Sequence, residues 1–218
     1  MKLPLILASK SPRRKEILQD LGFQPRVFES NIKEISDPWC RSMEDKVISI
    51  ARKKADAVSS ILNGTISENL IIAADTIVCL KEEILGKPKN QNEAVKMLKN
   101  LSGNKHTVIT ATVIIDRQKK TNFEMANKTI VNFKKLTNEG ILDYLGQNEY
   151  SDKAGAYGIQ NNGNRIIENI EGDYFNVMGL SVTTLIDYFK TYHNIEISAK
   201  KLMSKHGHMI RKFRSDGD

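Results

Sequence analysis

The apolar run at Leu70–Leu80 constrains the fold more than any other segment of the chain. Every residue within four positions of Asp75 is apolar except Thr76. A short continuous apolar run of this kind is typical of a strand buried inside a sheet. Strand-like and helix-like segments alternate on both sides of it, which favours an α/β architecture with a mixed twisted sheet and flanking helices.

The first 20 residues predict a strand followed directly by a helix. Residues 3–8 form a short apolar segment, and Ser11-Pro12 supplies an N-cap and a proline at the first helical position. The same patterns predict helices at 43–62, 92–101, 137–145 and 181–192, and extended segments at 106–115, 123–133 and 165–170.

Composition excludes several classes of protein. With 40% hydrophobic and 27% charged residues in 218 positions, the chain can bury one large core. Its longest apolar run is interrupted by Asp75, so we expect no membrane span. The N-terminus lacks the pattern of a signal peptide, and Cys40 and Cys79 are too few for a disulfide framework. These features favour a cytoplasmic location.

The C-terminal residues are basic. The net charge of the chain is +7, and residues 196–218 hold six basic against three acidic side chains. We therefore expect a catalytic domain at 1–194 and a flexible basic tail at 195–218. Such a tail is more often a solvated terminus than a nucleic-acid contact, and both interpretations stay open.

Asp75 and Lys54 break the pattern of their segments. A carboxylate in a buried strand is unfavourable unless it is paired, protonated or bound to a metal. Asp75 is therefore either a structural carboxylate paired with a buried lysine or a catalytic or metal-binding group. Lys54 lies between Ile50 and Val58 on the apolar face of its helix. Its ammonium either reaches solvent along that face or points into a cleft.

Further basic residues stand in turns suited to anions. Ser9-Lys10-Ser11-Pro12-Arg13-Arg14 joins a strand to a helix start, where backbone N–H groups attract anions. Lys87 precedes a proline, and Lys153 lies in the glycine-rich run at 152–160. These residues suit phosphate chemistry with a hard divalent metal. A zinc cluster, a P-loop, a dinucleotide-binding glycine motif and a nucleophile elbow are all lacking in the sequence.

The same segments resemble the Maf family of nucleoside triphosphate pyrophosphatases, over about residues 3–192. The matching motifs are, in order, Leu7-Ala8-Ser9-x-Ser11-Pro12-Arg13-Arg14, Glu34, Ala51-Arg52-x-Lys54-Ala55, Ala74-Asp75-Thr76, Leu85-Gly86-Lys87-Pro88, Leu101-Ser102-Gly103-x-x-His106, Asp152-Lys153-Ala154-Gly155-Ala156-Tyr157-Gly158-Ile159-Gln160 and Asn176-Val177-Met178-Gly179-Leu180. Asn161 replaces the glycine usual after the long block, and asparagine tolerates a left-handed backbone.

The resemblance implies a fold similar to that of inosine triphosphate pyrophosphatases, with two lobes around a deep cleft. It implies hydrolysis between the α- and β-phosphates, a Mg²⁺ or Mn²⁺ cofactor and a homodimer. Arg13, Thr76 and Gln160 match the branch that uses dTTP and UTP. The other branch, which uses 7-methyl-GTP, tends to have tryptophan, glutamine and glutamate there. Two alternatives stay open: a purine nucleotide pyrophosphatase and a non-catalytic regulator of cell division.

The resemblance also implies a role for each matching residue. Asp75 would be the general base and a metal ligand, and Glu34 would be a second metal ligand. Asp75 would act with three catalytic lysines, and five residues would bind substrate. The lysines are Lys54, Lys87 and Lys153, and the substrate-binding residues are Ser9, Arg13, Arg14, Thr76 and Gln160.

Overall fold

A computed structural model describes residues 4–62, 70–147 and 150–213. Within these ranges, seven strands form one mixed sheet flanked by helices, which confirms the predicted α/β class. Leu3, the first residue of the first predicted strand, lies outside the described residues, as do residues 214–218 of the predicted tail.

The sheet is built around the predicted central strand. Its members are β1 (Leu5–Leu7), β2 (Arg26–Val27), β3 (Leu70–Leu80), β4 (Glu83–Leu85), β5 (Lys105–Asp116), β6 (Thr121–Phe133) and β7 (Ile167–Glu171). Their order is β2-β1-β3-β5-β6-β7, and β4 pairs with β3. β1 runs parallel to β2 and β3, whereas β4 is antiparallel to β3 and β7 is antiparallel to β6. β3 has the predicted bounds and is buried along nearly its whole length.

Most helices begin close to the predicted positions. They are α1 (Pro12–Asp20), α2 (Met43–Ile61), α3 (Gln91–Leu101), α4 (Asn138–Gln147), α5 (Tyr174–Met178), α6 (Val182–His193) and α7 (Lys200–Phe213). α1 has Ser11 at its N-cap and Pro12 at its first position, as predicted, although the Ser11 side chain makes no capping hydrogen bond. Sequence patterns did not predict α5 or α7. In the described part of the chain, no helix is long and apolar enough to cross a membrane.

The chain divides into two compact units, each assembled from segments distant in sequence. Unit 1 comprises Met1–Asp75, Thr110–Asn127 and Gly179–Lys205. Unit 2 comprises Thr76–Ile109, Lys128–Met178 and His206–Asp218. The division passes through β3 between Asp75 and Thr76. The cleft implied by the family resemblance stays a prediction.

Each unit has its own apolar core. In unit 1, β1 is fully buried, and the rings of Phe23 and Phe189 meet with centroids 4.8 Å apart. In unit 2, His106, Phe133 and Tyr157 meet edge to face, with ring centroids 4.9–5.4 Å apart.

Candidate active site

Asp75 is buried at the point where β3 leaves unit 1, and it is paired with a lysine. The residue is 7% exposed, and its Oδ1 accepts a hydrogen bond of 2.6 Å from Lys54 Nζ. Lys54 comes from α2 and is itself only 6% exposed. The ammonium therefore does not reach solvent along the helix face. The pairing meets the requirement for a buried carboxylate and leaves both interpretations of Asp75 open, because an ion pair here can also be part of a catalytic site.

Glu34 contributes a second carboxylate to the same lysine. Glu34 Oε1 lies 2.7 Å from Lys54 Nζ, and about half of the Glu34 side chain is exposed. The residue belongs to the segment between β2 and α2, which has no helix or strand. One ammonium thus contacts two carboxylates from different segments. We call Arg14, Glu34, Lys54 and Asp75 the Asp75 cluster.

Arg14 brings the turn after β1 to this cluster. Its Nε donates to the carbonyl oxygen of Gly179 over 2.8 Å, and its Nη1 donates to Ser9 Oγ over 3.0 Å. Ser9 Oγ also accepts from the backbone N–H of Ser11, at the start of α1. These bonds hold a buried guanidinium in a fixed orientation beside the helix N-terminus. Arg13, the preceding residue, is half-buried.

Burial and charge act on the Asp75 cluster in opposite directions. Burial raises the pKa of Asp75 above its ordinary value, while Lys54 and Arg14 oppose the rise and the Glu34 charge adds to it. Burial likewise lowers the pKa of Arg14, against the attraction of Asp75. A carboxylate whose pKa is raised is a stronger proton acceptor than an ordinary aspartate.

The other four candidate residues lie in unit 2. Thr76 follows Asp75 directly on β3 and is half-buried, and Lys87 is exposed just after β4. Lys153 and Gln160 lie in the glycine-rich run at 152–160, which we call the Lys153 loop. The backbone N–H of Gly155 donates to Gly86 O over 3.0 Å, so the loop lies against the turn that carries Lys87.

Glycine allows the Lys153 side chain to lie across its own loop. A Cβ atom on Gly158 would come within 3.2 Å of Lys153 Cε, and one on Gly163 would meet Gly158 O at 3.0 Å. Lys153 Nζ also lies 2.6 Å from Asp152 Oδ1, so the two neighbouring side chains form an ion pair. Asn161 adopts φ 53°, the left-handed conformation expected for the residue that replaces glycine.

Two tyrosines and a histidine support the Lys153 loop, and none of the three was predicted to have a role there. Tyr157 OH is 2.6 Å from His106 Nε2, and the Gly158 N–H donates to Tyr144 OH over 3.1 Å. Burial lowers the pKa of His106 to about 4 and raises the pKa of Tyr157 well above its ordinary value. His106 therefore stays neutral near pH 7. His106 and Tyr157 both stand in the quoted motifs, which mark their positions but not the contact between them.

The candidate site residues thus form two groups, one in each unit. Unit 1 brings Ser9 and Arg14 together with Glu34, Lys54 and Asp75. Unit 2 brings the Lys87 turn against the Lys153 loop. The carboxylate oxygens of the first group suit a hard divalent metal, and the ammonium groups of the second suit phosphate oxygens.

Comparisons with known proteins agree with the family resemblance of these site residues. A family profile described as Maf-like protein matches residues 4–192. A dTTP/UTP pyrophosphatase of Thermoanaerobacter sp. (strain X514) is 42% identical over 198 residues, which is 89% of this chain and 100% of that protein. A dTTP/UTP pyrophosphatase of Fusobacterium nucleatum is 43% identical, covering 84% of this chain and 92% of the relative. One of Clostridioides difficile is 42% identical, covering 88% and 97%. The chain therefore belongs to the Maf family.

Proposed function

We propose that this protein hydrolyses dTTP and UTP to the nucleoside monophosphate and pyrophosphate. The observation that carries the proposal is the Asp75 cluster, in which a buried carboxylate of raised pKa stands beside two cations. The names of relatives about 42% identical over most of the chain support the same substrates.

In the proposed reaction, Asp75 accepts a proton from the water that attacks the α-phosphorus. The P–O bond to the β-phosphate then breaks, and pyrophosphate leaves with the bonding electrons. Lys54 holds the Asp75 carboxylate in one orientation through its 2.6 Å hydrogen bond. Phosphoryl transfer depends mainly on positioning and on stabilisation of charge, and fixed cations supply both.

The other basic residues bind the triphosphate in this proposal. Arg14 is held in place by Ser9 and Gly179, so its charge is preorganised. Arg13 extends the positive region at the start of α1. Lys87 and Lys153 lie on adjoining turns of unit 2 and would neutralise the departing pyrophosphate.

Glu34 and Asp75 are the proposed ligands of Mg²⁺ or Mn²⁺. Both carboxylates contact the same ammonium, so their oxygens already face one cation, and hard oxygen donors are those such metals prefer. Magnesium sites commonly use one or two carboxylates together with substrate phosphates, so two ligands are enough. When bound, the metal neutralises phosphate charge and polarises phosphoryl oxygens.

Base selection is assigned to Arg13, Thr76 and Gln160. The Gln160 amide offers both a donor and an acceptor, as an edge of a pyrimidine does. Glutamate at this position has acceptors only, so a base carbonyl would lose its donor. We expect Gln160→Glu to lower kcat/KM for dTTP and UTP about 10-fold or more and to leave the metal requirement unchanged. Unchanged nucleotide preference would remove Gln160 from this role.

A nucleotide panel tests the proposed function directly. Pyrophosphate release should be fastest with dTTP and UTP, slower with purine nucleotides and 7-methyl-GTP, and absent after EDTA treatment. Addition of Mn²⁺ or Mg²⁺ should restore it. Preference for 7-methyl-GTP would reassign the chain to the other branch of the family. No release from any nucleotide by folded protein would favour the non-catalytic role in cell division.

A cytoplasmic homodimer is part of the proposal. Cys40 and Cys79 are thiols rather than a disulfide, a state that a reducing compartment maintains. The dimer rests on the family resemblance, and light scattering on purified protein tests it. Nucleic-acid binding through the basic C-terminal segment is a separate possibility, which a salt-dependent gel shift would detect.

A further inference from the structure

The segment that carries Glu34 has no helix or strand to fix its position. Residues 28–41 follow β2 and precede α2, and no regular secondary structure is present between them. Glu34 Oε1 is nevertheless 2.7 Å from Lys54 Nζ. A half-exposed side chain on an irregular segment keeps such a position only if neighbouring contacts hold the backbone.

Asp37 supplies those contacts three residues after Glu34. Its Oδ2 accepts from Ser49 Oγ over 2.7 Å, and its Oδ1 lies 2.6 Å from Lys53 Nζ. The Asp37 backbone N–H in turn donates to Ser49 Oγ over 3.1 Å. Lys53 Nζ also donates to the carbonyl oxygen of Ile35 over 3.0 Å, next to Glu34.

The helix residues that make these contacts lie one turn apart on α2, and one of them, Lys53, directly precedes Lys54 in the sequence. Ser49 and Lys53 are four positions apart on α2, so they lie one turn apart, and Ser49 is 3% exposed. Lys53 holds the segment at two points just after Glu34, since it contacts Ile35 and Asp37. Lys54, the next residue, contacts Glu34 itself and Asp75.

We propose that Asp37, Ser49 and Lys53 form a clamp that positions Glu34 for metal binding. They would act through Glu34 rather than on substrate or metal, so they are positioning residues. The proposal deepens the proposed function, because it rests on Glu34 being a metal ligand. Groups that orient a metal ligand typically change metal affinity about 10–100-fold when they are removed.

The experiment measures Mn²⁺ binding apart from catalysis. Free Mn²⁺ is counted by electron paramagnetic resonance during titration of each protein, with a dTTP analogue that has a non-hydrolysable α,β-imido link. We expect Ser49→Ala, Asp37→Asn and Lys53→Met to weaken Mn²⁺ binding about 10-fold or more. Lys53→Arg, which keeps a cationic donor, should bind within about 3-fold of wild type. Ser60→Ala is the matched control, because Ser60 is an exposed serine on the same helix.

Trp39 gives an independent measure of the clamp. It is the only tryptophan in the chain, lies two residues after Asp37 and is 74% exposed. Its fluorescence anisotropy should fall in the three clamp variants and stay unchanged in Ser60→Ala, since a released segment moves faster. Circular dichroism on the same samples establishes that each variant is folded. If a clamp variant is unfolded, Asp37→Ser takes its place, because it also removes the carboxylate that contacts Ser49 and Lys53.

Pyrophosphate release should follow the same order. The clamp variants should need about 10-fold more Mn²⁺ for half-maximal rate and approach wild-type kcat at saturating Mn²⁺, because Glu34 and Asp75 are intact. Wild-type Mn²⁺ affinity and anisotropy in folded clamp variants would overturn the clamp. Absence of turnover in the wild-type protein would instead refute the proposed function, and the Mn²⁺ titration would still decide whether the clamp exists.

Discussion

Burial and neighbouring cations act on the ionisation of Asp75 in opposite directions. Burial favours its neutral form, whereas Lys54 and Arg14 favour the charged form, and burial dominates. A carboxyl group whose pKa is raised in the folded state stabilises the fold most below its unfolded pKa. That contribution is lost as pH rises through the folded value. Once the pH is above the folded-state pKa, the ionised Asp75 therefore opposes folding, as is common for groups retained for function.

Asp75→Asn should separate catalysis from stability. The amide keeps the shape and loses the basicity, so turnover should fall about 10²–10⁴-fold, the range that general-base catalysis contributes. Removal of an unfavourable buried charge should leave the melting temperature unchanged or raise it. Lys54 keeps Glu34 as a partner, so its ammonium is not left without a counter-charge. Pyrophosphate release and thermal unfolding are measured on one preparation.

The opposite result would identify Asp75 as a structural residue. Breaking a buried ion pair so that one charge is uncompensated typically costs about 3–5 kcal/mol. A variant that melts early but keeps near-normal turnover per folded molecule would contradict the catalytic role. Lys54→Met serves as the matched variant, since it removes the other half of the pair.

His106 makes folding depend on pH. Its pKa is lowered from 6.5 to about 4, so between these values the unfolded chain binds a proton that the folded chain does not. Stability from this group is present above pH 6.5 and is lost as pH falls towards 4, by up to about 3 kcal/mol. His106→Gln cannot take up this proton, so it should lose less stability between pH 7 and pH 4.5. Urea unfolding at both pH values measures the difference.

His193 is a second histidine that contributes equally to the pH dependence of both proteins. Burial also lowers its pKa, and it is present in both proteins, so only the slope due to His106 should differ. Equal pH dependence in wild type and His106→Gln would show that His106 is not the titrating group.

Single residues differed in how far sequence could predict them. Asp75 and Lys54 stood out because each breaks an apolar pattern, and the structure pairs them. Glu34 could be found only from the family resemblance, since a carboxylate on an irregular segment breaks no pattern. Asp37, Ser49 and their contacts depend on how that segment lies on α2, which residue types do not reveal.

At the scale of elements, length and regular periodicity decided what could be predicted. β3 and α2 are long and strongly patterned, and their predicted bounds agree with the structure within one residue. β2 and β4 have two and three residues, too few for any periodicity to be recognised. The basic residues of α7 led to the prediction of a flexible tail. Its residues Leu202, Met209 and Phe213 nevertheless form a buried stripe at helical spacing.

The start of α2 offers a test at this scale. Ser42 and Asp45 form a capping box, in which each side chain accepts from the other residue's backbone N–H. Ser42→Ala should lower the free energy of unfolding by about 1 kcal/mol and the melting temperature by about 2–4 °C. Turnover per folded molecule should not change, because Lys54 is three turns further along the helix.

Ser60→Ala in the last turn of α2 is the matched control. It makes the same chemical change where no capping contact is lost, and it should leave the melting temperature within about 1 °C of wild type. Equal destabilisation by the two variants would mean that the serine hydroxyl at position 42 contributes nothing specific to the helix.

At the scale of the whole molecule, neither compact unit is a continuous stretch of the sequence. Each unit collects three separate segments, and the division falls inside β3. Composition is nearly uniform along the first 194 residues, so no linker or charge change marks the division. The fold class followed from alternating patterns, but the assignment of segments to units depends on tertiary packing.

The C-terminal helix is the feature whose removal most directly tests the proposed domain boundary at 1–194. Within unit 1, Lys201 Nζ lies 2.7 Å from Asp20 Oδ1, and Lys205 pairs with Glu16. Within unit 2, the ring of Phe213 stacks on Tyr174 with centroids 6.3 Å apart. These contacts favour a stabilising role for residues 200–213, while every proposed catalytic residue lies before 195.

A chain ending at Asn194 should therefore unfold at lower temperature and keep its chemistry. We expect the melting temperature to fall by several degrees, because Asp20 loses its lysine partners and the Tyr174 ring loses apolar cover. At 15 °C, well below its melting temperature, the truncated protein should release pyrophosphate from dTTP at a kcat within about 3-fold of the full chain. Phe213→Ala in the full chain is the matched variant, and it should reproduce part of the loss of stability without the loss of charge. If the truncated chain is folded by circular dichroism at 15 °C and kcat has fallen more than 100-fold, the helix contributes to the active site, and the catalytic domain extends beyond residue 194.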